Sequence, residues 1–227
     1  MTLPVDRAQD AGQTEGIVQI AILLFDDITA LDAVGPYEVL SRIPGATVSW
    51  VASAPGIKKA KGGLSLVADH RLDEVSNPQI VLVPGGSGAD AVMQDPAVIQ
   101  WLQAVHRTSL FTTAVCTGTL ILGAAGLLRG LRATTHWNYR QRLTEFGAEP
   151  VSERVVREGK IVTAAGVSAG IDMALRLVQW MAGDKAAQAI QLGIEYDPAP
   201  PFDSGSPEKA SPEIVEMVKR AYAARGR

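Results

Sequence analysis

The stretch TAVCTGTLILGAAGLL, residues 113–128, joins an apolar strand directly to an apolar helix. The strand begins slightly earlier, as LFTTAVC over residues 110–116, and the helix is predicted to continue to residue 128. Apolar side chains on both faces are typical of a strand in a covered parallel sheet. The junction between the two holds Cys116, the single cysteine of the 227-residue chain. This stretch predicts an α/β fold with a thiol where a strand gives way to a helix.

Similar units occur on both sides of this stretch. We predict further strands over residues 17–25, 47–53 and 80–86, and a hairpin over 154–166 around the turn REGK. Helices are predicted over residues 35–43, 95–108, 139–146, 168–183, 185–196 and 213–224. The alternation of strands and helices predicts a mostly parallel sheet covered on both faces. We expect a flexible tail at residues 1–15 and a single domain over residues 16–227.

Composition excludes several classes of function. The formal net charge is -3 and the basic residues form no patch, so nucleic acid is not an expected partner. The apolar runs at residues 17–25 and 120–128 are shorter than the roughly 20 residues that a membrane span needs. One cysteine makes neither an internal disulfide nor a multi-cysteine metal site. The expected location is the reducing cytoplasm.

Cys116 has two interpretations at this stage. Solitary cysteines are often small, inert core residues. A thiol at the start of a helix, however, lies near unpaired N–H groups and the positive end of the helix dipole, which lower its pKa and favour thiolate. Thr117 and Gly118 permit a tight reversal of the chain there. The position at the carboxyl end of a strand favours a nucleophile, because reactive groups gather at that edge of such a sheet.

Other candidate residues follow the neighbouring strands, and each has a structural alternative. Asp32 either caps the next helix or, if it is buried toward the site, carries a proton. Gly85 and Gly86 either form a tight turn or direct backbone N–H groups at charge that develops on a substrate. His136 is the one plausible histidine base, although a structural hydrogen bond is the favoured interpretation. Glu38 is a lesser candidate, with a solvated helix face as its alternative.

Five segments together resemble one protein superfamily. They are LLFDDITALDAVGPYEVL (23–40), VPGGSG (83–88), AVCTGTLILGAAGLLRGLRATTHW (114–137), AGVSAGIDMAL (165–175) and IEYDPAPPFDSGSP (194–207). In this order they resemble the DJ-1/PfpI superfamily, and within it the isocyanide hydratases. The resemblance implies a flavodoxin-like, three-layer α/β sandwich with a mostly parallel central sheet, like that of class I glutamine amidotransferases. It also implies a homodimer.

The resemblance further implies a site and a chemistry. Cys116 would be the nucleophile, Asp32 the acid and base, and Thr117 the residue that orients the thiol and the loop. Residues Gly85, Gly86 and Val167 would shape the substrate site. The implied reaction is hydration of a small isocyanide to an N-substituted formamide, with no cofactor and no metal.

Two departures distinguish this chain from other branches of the superfamily. Proteases and glyoxalase-type members usually carry histidine directly after the cysteine, where this chain has Thr117. Similar isocyanide hydratases often carry more glycine where this chain has Ala164 and Ala165, so we expect a stiffer start of the following helix. The alternatives are a redox or stress-response protein, a small-molecule sensor, and a hydrolase that pairs Cys116 with His136. AraC-type regulators share similar patterns but continue into a DNA-binding region for which this chain is too short.

Overall fold

The computed structural model describes residues 18–225 and the side chains of residues 18–224. The predicted tail at residues 1–15 and the first two residues of the predicted domain lie outside the described residues. A seven-stranded sheet forms the centre of the fold. Its strands are β1 (Val18–Leu23), β2 (Ala46–Ala52), β5 (His70–Arg71), β6 (Ile80–Val83), β7 (Phe111–Val115), β10 (Val155–Glu158) and β11 (Ile161–Ala164). They lie side by side in the order β10-β11-β7-β6-β1-β2-β5.

Helices cover both faces of this sheet. They are α1 (Ala30–Leu40), α2 (Ala89–Val92), α3 (Pro96–Thr108), α4 (Gly118–Ala124), α5 (Ala169–Ala182), α6 (Asp184–Gly193) and α7 (Pro212–Arg225). Helix α5 packs against both α1 and α6, and α4 packs against α2 and α3. Helix α3 is capped at its N-terminus by Asp95, whose side chain accepts a hydrogen bond from the N–H of Ala97 at 2.9 Å. The mostly parallel α/β sandwich is confirmed.

The buried strands explain why the sequence forms this sheet. All four residues of β6, IVLV, and all five of β7, FTTAV, are buried. Strands that are covered on both faces are apolar throughout rather than alternating. Every pair in the central sheet is parallel except β10 with β11, the predicted hairpin.

The strand order places three loops at one point. From β1 the chain proceeds outward to β2 and β5, and then returns to β6 on the other side of β1. A reversal of this kind opens a crevice beyond the carboxyl ends of the central strands. The loop after β1 leads to Asp32, the loop after β6 holds Gly85 and Gly86, and Cys116 directly follows β7.

Short elements were not predicted. The hairpin of β3 (Gly56–Lys59) and β4 (Ser65–Ala68) lies outside the central sheet, and the strands β8 (Arg132–Ala133) and β9 (Glu149–Pro150) form only one short parallel pair. These short strands bury too little surface for hydrophobic periodicity to indicate them. The helix predicted over residues 139–146 is present as a 3-10 helix over Trp137–Phe146, whereas α4 ends at Ala124 instead of residue 128.

Within residues 18–225, no helix combines the length and the apolar character needed to cross a bilayer. The same part of the chain holds no cluster of three or more His, Cys, Asp or Glu residues that could bind a metal ion.

Gly118 tests how tightly the strand ends pack. A Cβ atom at this position would overlap the carbonyl oxygen of Val83 and approach the carbonyl oxygen of Pro84 to 2.6 Å. Because these are backbone atoms, they cannot move aside cheaply. We expect Gly118→Ala to lower the free energy of unfolding by about 2 to 5 kcal/mol, measured by urea denaturation.

Gly193 is the matched control, because a Cβ atom there meets nothing within 4 Å. Gly193→Ala should change stability by no more than about 1 kcal/mol, and in the stabilising direction. Equal stability of the two variants would contradict the packing described here.

Candidate active site

Cys116 occupies a strained turn between β7 and α4. Its φ of 57° lies in the left-handed region, which residues other than glycine rarely adopt. Such a conformation costs about 1 to 3 kcal/mol and persists only where neighbouring groups fix it. The turn places Cys116 directly after β7, at the edge of the sheet where the crevice opens.

Neighbouring segments hold this turn through its backbone. The N–H of Cys116 donates to the carbonyl oxygens of Ala164 at 3.1 Å and Ala165 at 3.0 Å. Its carbonyl oxygen accepts a hydrogen bond from Thr135 Oγ1 at 2.6 Å. Ala164 is the last residue of β11, so the two alanines fix the tight turn at Cys116 (the elbow) through main-chain atoms. Helix α5 begins later, at Ala169, so the two alanines lie in the segment before its start.

Two backbone N–H groups face the sulfur of Cys116. One belongs to Thr117 and the other to Val167, whose φ of 38° is also left-handed. Hydrogen bonds of this kind favour a thiolate and lower the pKa of the thiol. The predicted neighbours Thr117 and Val167 therefore both lie at the thiol.

Asp32 lies in the first turn of α1 and is fully buried. Its Oδ2 accepts a hydrogen bond from the N–H of Gly85 at 2.9 Å, so the carboxyl does not cap its own helix. Its Oδ1 is buried and has no nitrogen or oxygen partner among the described residues. The group beside it is the thiol of Cys116, with which the carboxyl interacts directly.

The two groups shift each other's titration. Burial raises the pKa of Asp32 from 3.8 to about 7, although the hydrogen bonds from Gly85 and Cys116 lower it. Burial and the charge of Asp32 raise the pKa of the Cys116 thiol above its usual range, against the opposing effect of the two N–H groups. The expected thiolate is therefore wrong for the resting protein. Burial outweighs the dipole of α4, which has only seven residues.

The N–H groups of the two glycines are hydrogen-bonded within the protein and are not free to face the crevice. The N–H of Gly85 donates to Asp32, and the N–H of Gly86 donates to Thr117 Oγ1 at 2.9 Å. Thr117 Oγ1 in turn donates to the carbonyl oxygen of Gly86 at 3.1 Å. A Cβ atom on Gly85 would approach the N atom of Thr117 to 2.5 Å, so glycine allows the loop to rest on the elbow. Of the two alternatives for these glycines, the hydrogen bonds therefore favour the tight turn over amide donors directed at a substrate.

His136 has a structural role. Its Nδ1 accepts a hydrogen bond from the N–H of Asn138 at 3.3 Å, and its Nε2 lies 3.3 Å from Tyr222 Oη. Burial and the charge of Arg140 lower its pKa to about 4. Both ring nitrogens are occupied, and a pKa of about 4 makes the imidazole a weak proton acceptor near pH 7, which argues against His136 as the base for Cys116. Glu38 is half exposed and pairs with Arg42 at 2.7 Å.

A small cavity of about 110 Å³ opens beside the elbow. Thr117 and Gly86 form its inner side, and Tyr139, Leu120 and Tyr222 contribute apolar surface. The geometry thus combines a buried thiol, a carboxyl that holds its proton up to about neutral pH, and an adjoining apolar space. This arrangement can add a nucleophile and a proton to one small substrate.

Comparison with known proteins identifies the family. The sequence model of the DJ-1/PfpI family matches residues 18–180. The chain belongs to the DJ-1/PfpI family.

Within this family, the chain is 42% identical to the isonitrile hydratase of Pseudomonas putida, over 91% of this chain and 90% of that protein. It is 30% identical to the HTH-type transcriptional regulator CdhR of Pseudomonas aeruginosa, over 73% of this chain but only 50% of the regulator. The solved structure of a THiJ/PfpI family protein from Pseudomonas syringae superposes on this chain with a TM-score of 0.90. It shares 34% identity, and the match covers 98% of this chain and 93% of that one.

Sequence reasoning missed three residues of this DJ-1/PfpI site. Thr135 holds the carbonyl oxygen of Cys116, while Tyr139 and Tyr222 border the cavity. Thr135 lies in the quoted motif RATTHW, but its hydroxyl contact depends on a long-range approach. A signal for Tyr222 does exist in the spacing of Val215, Val218 and Tyr222, which places all three on one face of α7.

Asp32 gives a prediction about stability and pH. Its pKa is higher in the folded protein than the 3.8 of an ordinary carboxyl, so its contribution is fully present below about pH 4 and is lost as pH rises through about 7. Asp32→Asn removes the charge and retains an oxygen for the N–H of Gly85. We expect this variant to be more stable than the native protein by on the order of 1 to 4 kcal/mol at pH 8, and nearly equal in stability at pH 4.

Chemical denaturation at the two pH values measures this difference. Asp203→Asn is the control, because that side chain is 79% exposed and pairs only at the surface with Lys209. It should show no gain that grows with pH. A loss of stability for Asp32→Asn at pH 8 would refute the burial of a carboxyl that resists ionisation.

Proposed function

We propose that this protein hydrates isocyanides (isonitriles) to N-substituted formamides through a covalent intermediate on Cys116. The observation that carries the proposal is the buried pair of Cys116 and Asp32, in which a thiol and a carboxyl of raised pKa lie in contact. The similarity to an isonitrile hydratase over nine-tenths of both chains supports the substrate class.

The first step uses one proton that the pair shares. When the pair has lost a single proton, the remaining one can reside on the thiol or on the carboxyl. In the form with thiolate and protonated Asp32, the sulfur attacks the terminal carbon of R–N≡C. The proton of Asp32 is transferred to the same carbon. The product is a thioimidate, R–N=CH–S, bonded to Cys116, and Asp32 is left ionised.

The second step adds water. The Asp32 carboxylate takes a proton from a water molecule while the water oxygen bonds to the thioimidate carbon. Asp32 then delivers that proton to the substrate nitrogen. The carbon–sulfur bond then breaks and the electron pair returns to the thiolate. The hydroxyl proton passes to Asp32 as the formamide carbonyl forms. One water has been consumed and both side chains are restored, so the reaction requires no redox change.

The surrounding residues support both steps. The N–H groups of Thr117 and Val167 stabilise the negative charge on sulfur before the attack and after the thiolate leaves. The hydroxyl of Thr117 fixes the loop that carries Gly85 and Gly86, and Gly85 in turn orients Asp32. In this proposal Gly85 and Gly86 are positioning residues, Val167 contacts the reacting sulfur through its N–H, and Thr117 does both.

The structure disfavours a redox sensor. Cysteines that respond to peroxide are accessible and have a lowered pKa. Cys116 is only 6% exposed, and burial and the charge of Asp32 raise its pKa. The homodimer that the family resemblance implies and the cytoplasmic location expected from the single cysteine are kept as part of the proposal.

Conversion of an alkyl isocyanide to its formamide tests the function directly. Cys116→Ala removes the nucleophile, and Asp32→Asn removes the proton carrier while keeping the hydrogen bond from Gly85. We expect each variant to lose at least about 1,000-fold in kcat, measured by chromatography of the formamide. His136→Asn is the matched comparison: it removes an imidazole near the site, and we expect much of the native rate to remain.

Mass spectrometry of the native protein after a rapid acid quench should show the mass of one isocyanide added to the peptide that contains Cys116. Turnover by Cys116→Ala at the native rate would exclude the mechanism. Absence of formamide with the native protein, over a series of alkyl and aryl isocyanides, would exclude the function.

A further inference from the structure

Helix α7 contacts the body of the protein through one narrow face. Among its described side chains, only Val215, Val218 and Tyr222 are half-buried, and they recur at intervals of three and four residues. This spacing aligns them along one side of the helix. The neighbouring side chains Ile214 and Met217 are 38% and 54% exposed. Tyr222 is therefore the large side chain that α7 turns toward the fold.

Contacts with two aromatic residues fix the position of the Tyr222 ring. Its centroid lies 5.1 Å from that of His136 and 5.9 Å from that of Tyr139, against which it packs edge-on. Nδ1 of His136 accepts a hydrogen bond from Asn138, so the neutral imidazole carries its hydrogen on Nε2. That nitrogen lies 3.3 Å from Tyr222 Oη and donates to it. His136, which the proposed reaction does not use, thereby anchors the C-terminal helix.

This anchored ring forms one side of the cavity beside the nucleophile. Tyr222 and Tyr139 line it together with Leu120, while Thr117 and Gly86 form its inner side. An isocyanide that presents its terminal carbon to Cys116 must project its substituent away from the sulfur. The adjoining apolar space is this cavity, and the two tyrosine rings limit the size of a group within it.

Three charged side chains also line the cavity. Arg142 and Asp90 pair with each other at 2.9 Å, and Lys61 is the third. Because this part of the lining carries both signs of charge, the effect of the Tyr222 ring is on the size of a substituent and not on its charge.

We propose that Tyr222 is a specificity-determining residue, whose ring, held by His136, restricts the site to isocyanides with compact substituents. This inference rests on the proposed function. It assigns Tyr222 no part in the chemistry, since the ring borders the substituent and not the reacting carbon.

The test compares a compact substrate, isopropyl isocyanide, with a bulkier one, cyclohexyl isocyanide. The measured quantity is the ratio of kcat/KM for cyclohexyl to that for isopropyl isocyanide. Tyr222→Ala removes the ring and should raise this ratio about tenfold or more, because a few methylene groups against a pocket wall have effects of this size. Tyr222→Trp enlarges the ring and should lower the ratio. Tyr222→Phe keeps the ring and should retain it within about threefold.

Met217→Ala is the matched control, since Met217 lies on the same helix but is exposed, and its ratio should equal that of the native protein. Thermal unfolding of each variant checks that the fold is intact. If the alanine and tryptophan variants leave the ratio unchanged, or lower the rates with both substrates equally, the proposal is wrong and Tyr222 serves only to attach α7.

Alkylation of Cys116 provides a readout that needs no isocyanide turnover. Iodoacetamide and the bulkier N-phenyliodoacetamide both alkylate cysteine thiols. Mass spectrometry follows the rate at which each reagent alkylates Cys116. The ratio of the bulky to the compact reagent should rise in Tyr222→Ala and fall in Tyr222→Trp. These changes without any hydration would support the wall formed by Tyr222 while refuting the proposed function. Unchanged alkylation ratios together with active hydration would refute the wall alone.

Discussion

A thiol and a carboxyl share one buried space at the edge of the sheet, and much of the surrounding structure keeps them there. Neither Cys116 nor Asp32 has bulk water to stabilise its charge, and each opposes ionisation of the other. Two buried groups of this kind lose their first proton as a pair, and the remaining proton can move between them. Such a pair offers an acid and a nucleophile in the same protonation state, which is what addition to a single carbon requires.

Holding that pair uses the termini of four central strands. Strand β1 leads into the helix that carries Asp32, β6 ends at the loop whose Gly85 binds the carboxyl, and β7 ends at Cys116. The end of β11 accepts the N–H of Cys116 through Ala164 and Ala165. These strands are adjacent in the sheet, so their carboxyl ends form one rigid edge. Strain at the left-handed Cys116 is distributed over these contacts, and the Thr135 hydroxyl completes them.

Local sequence patterns were sufficient for the frame and for the position of Cys116. A buried apolar strand followed by Thr117 and Gly118 places Cys116 at a tight turn whatever the rest of the chain does. Four features required knowledge of distant contacts. Whether Asp32 caps its helix or is buried depends on Gly85, which is 53 residues away. Local patterns contain no measure of the burial of Cys116, so the thiol pKa was predicted in the wrong direction. Similarly, the partners of the Gly85 and Gly86 N–H groups belong to other loops, and the place of Tyr222 depends on how α7 docks.

The protonation state of Asp32 in the resting protein tests the account most directly. Carbon-13 NMR of a sample labelled at the aspartate carboxyl carbons, with Asp32→Asn used to assign the signal, follows its titration. We predict that the Asp32 carboxyl titrates near pH 7 in the native protein. A signal for Asp32 that titrates below pH 5, as ordinary aspartates do, would show that the carboxyl is ionised at neutral pH and would contradict the shared proton.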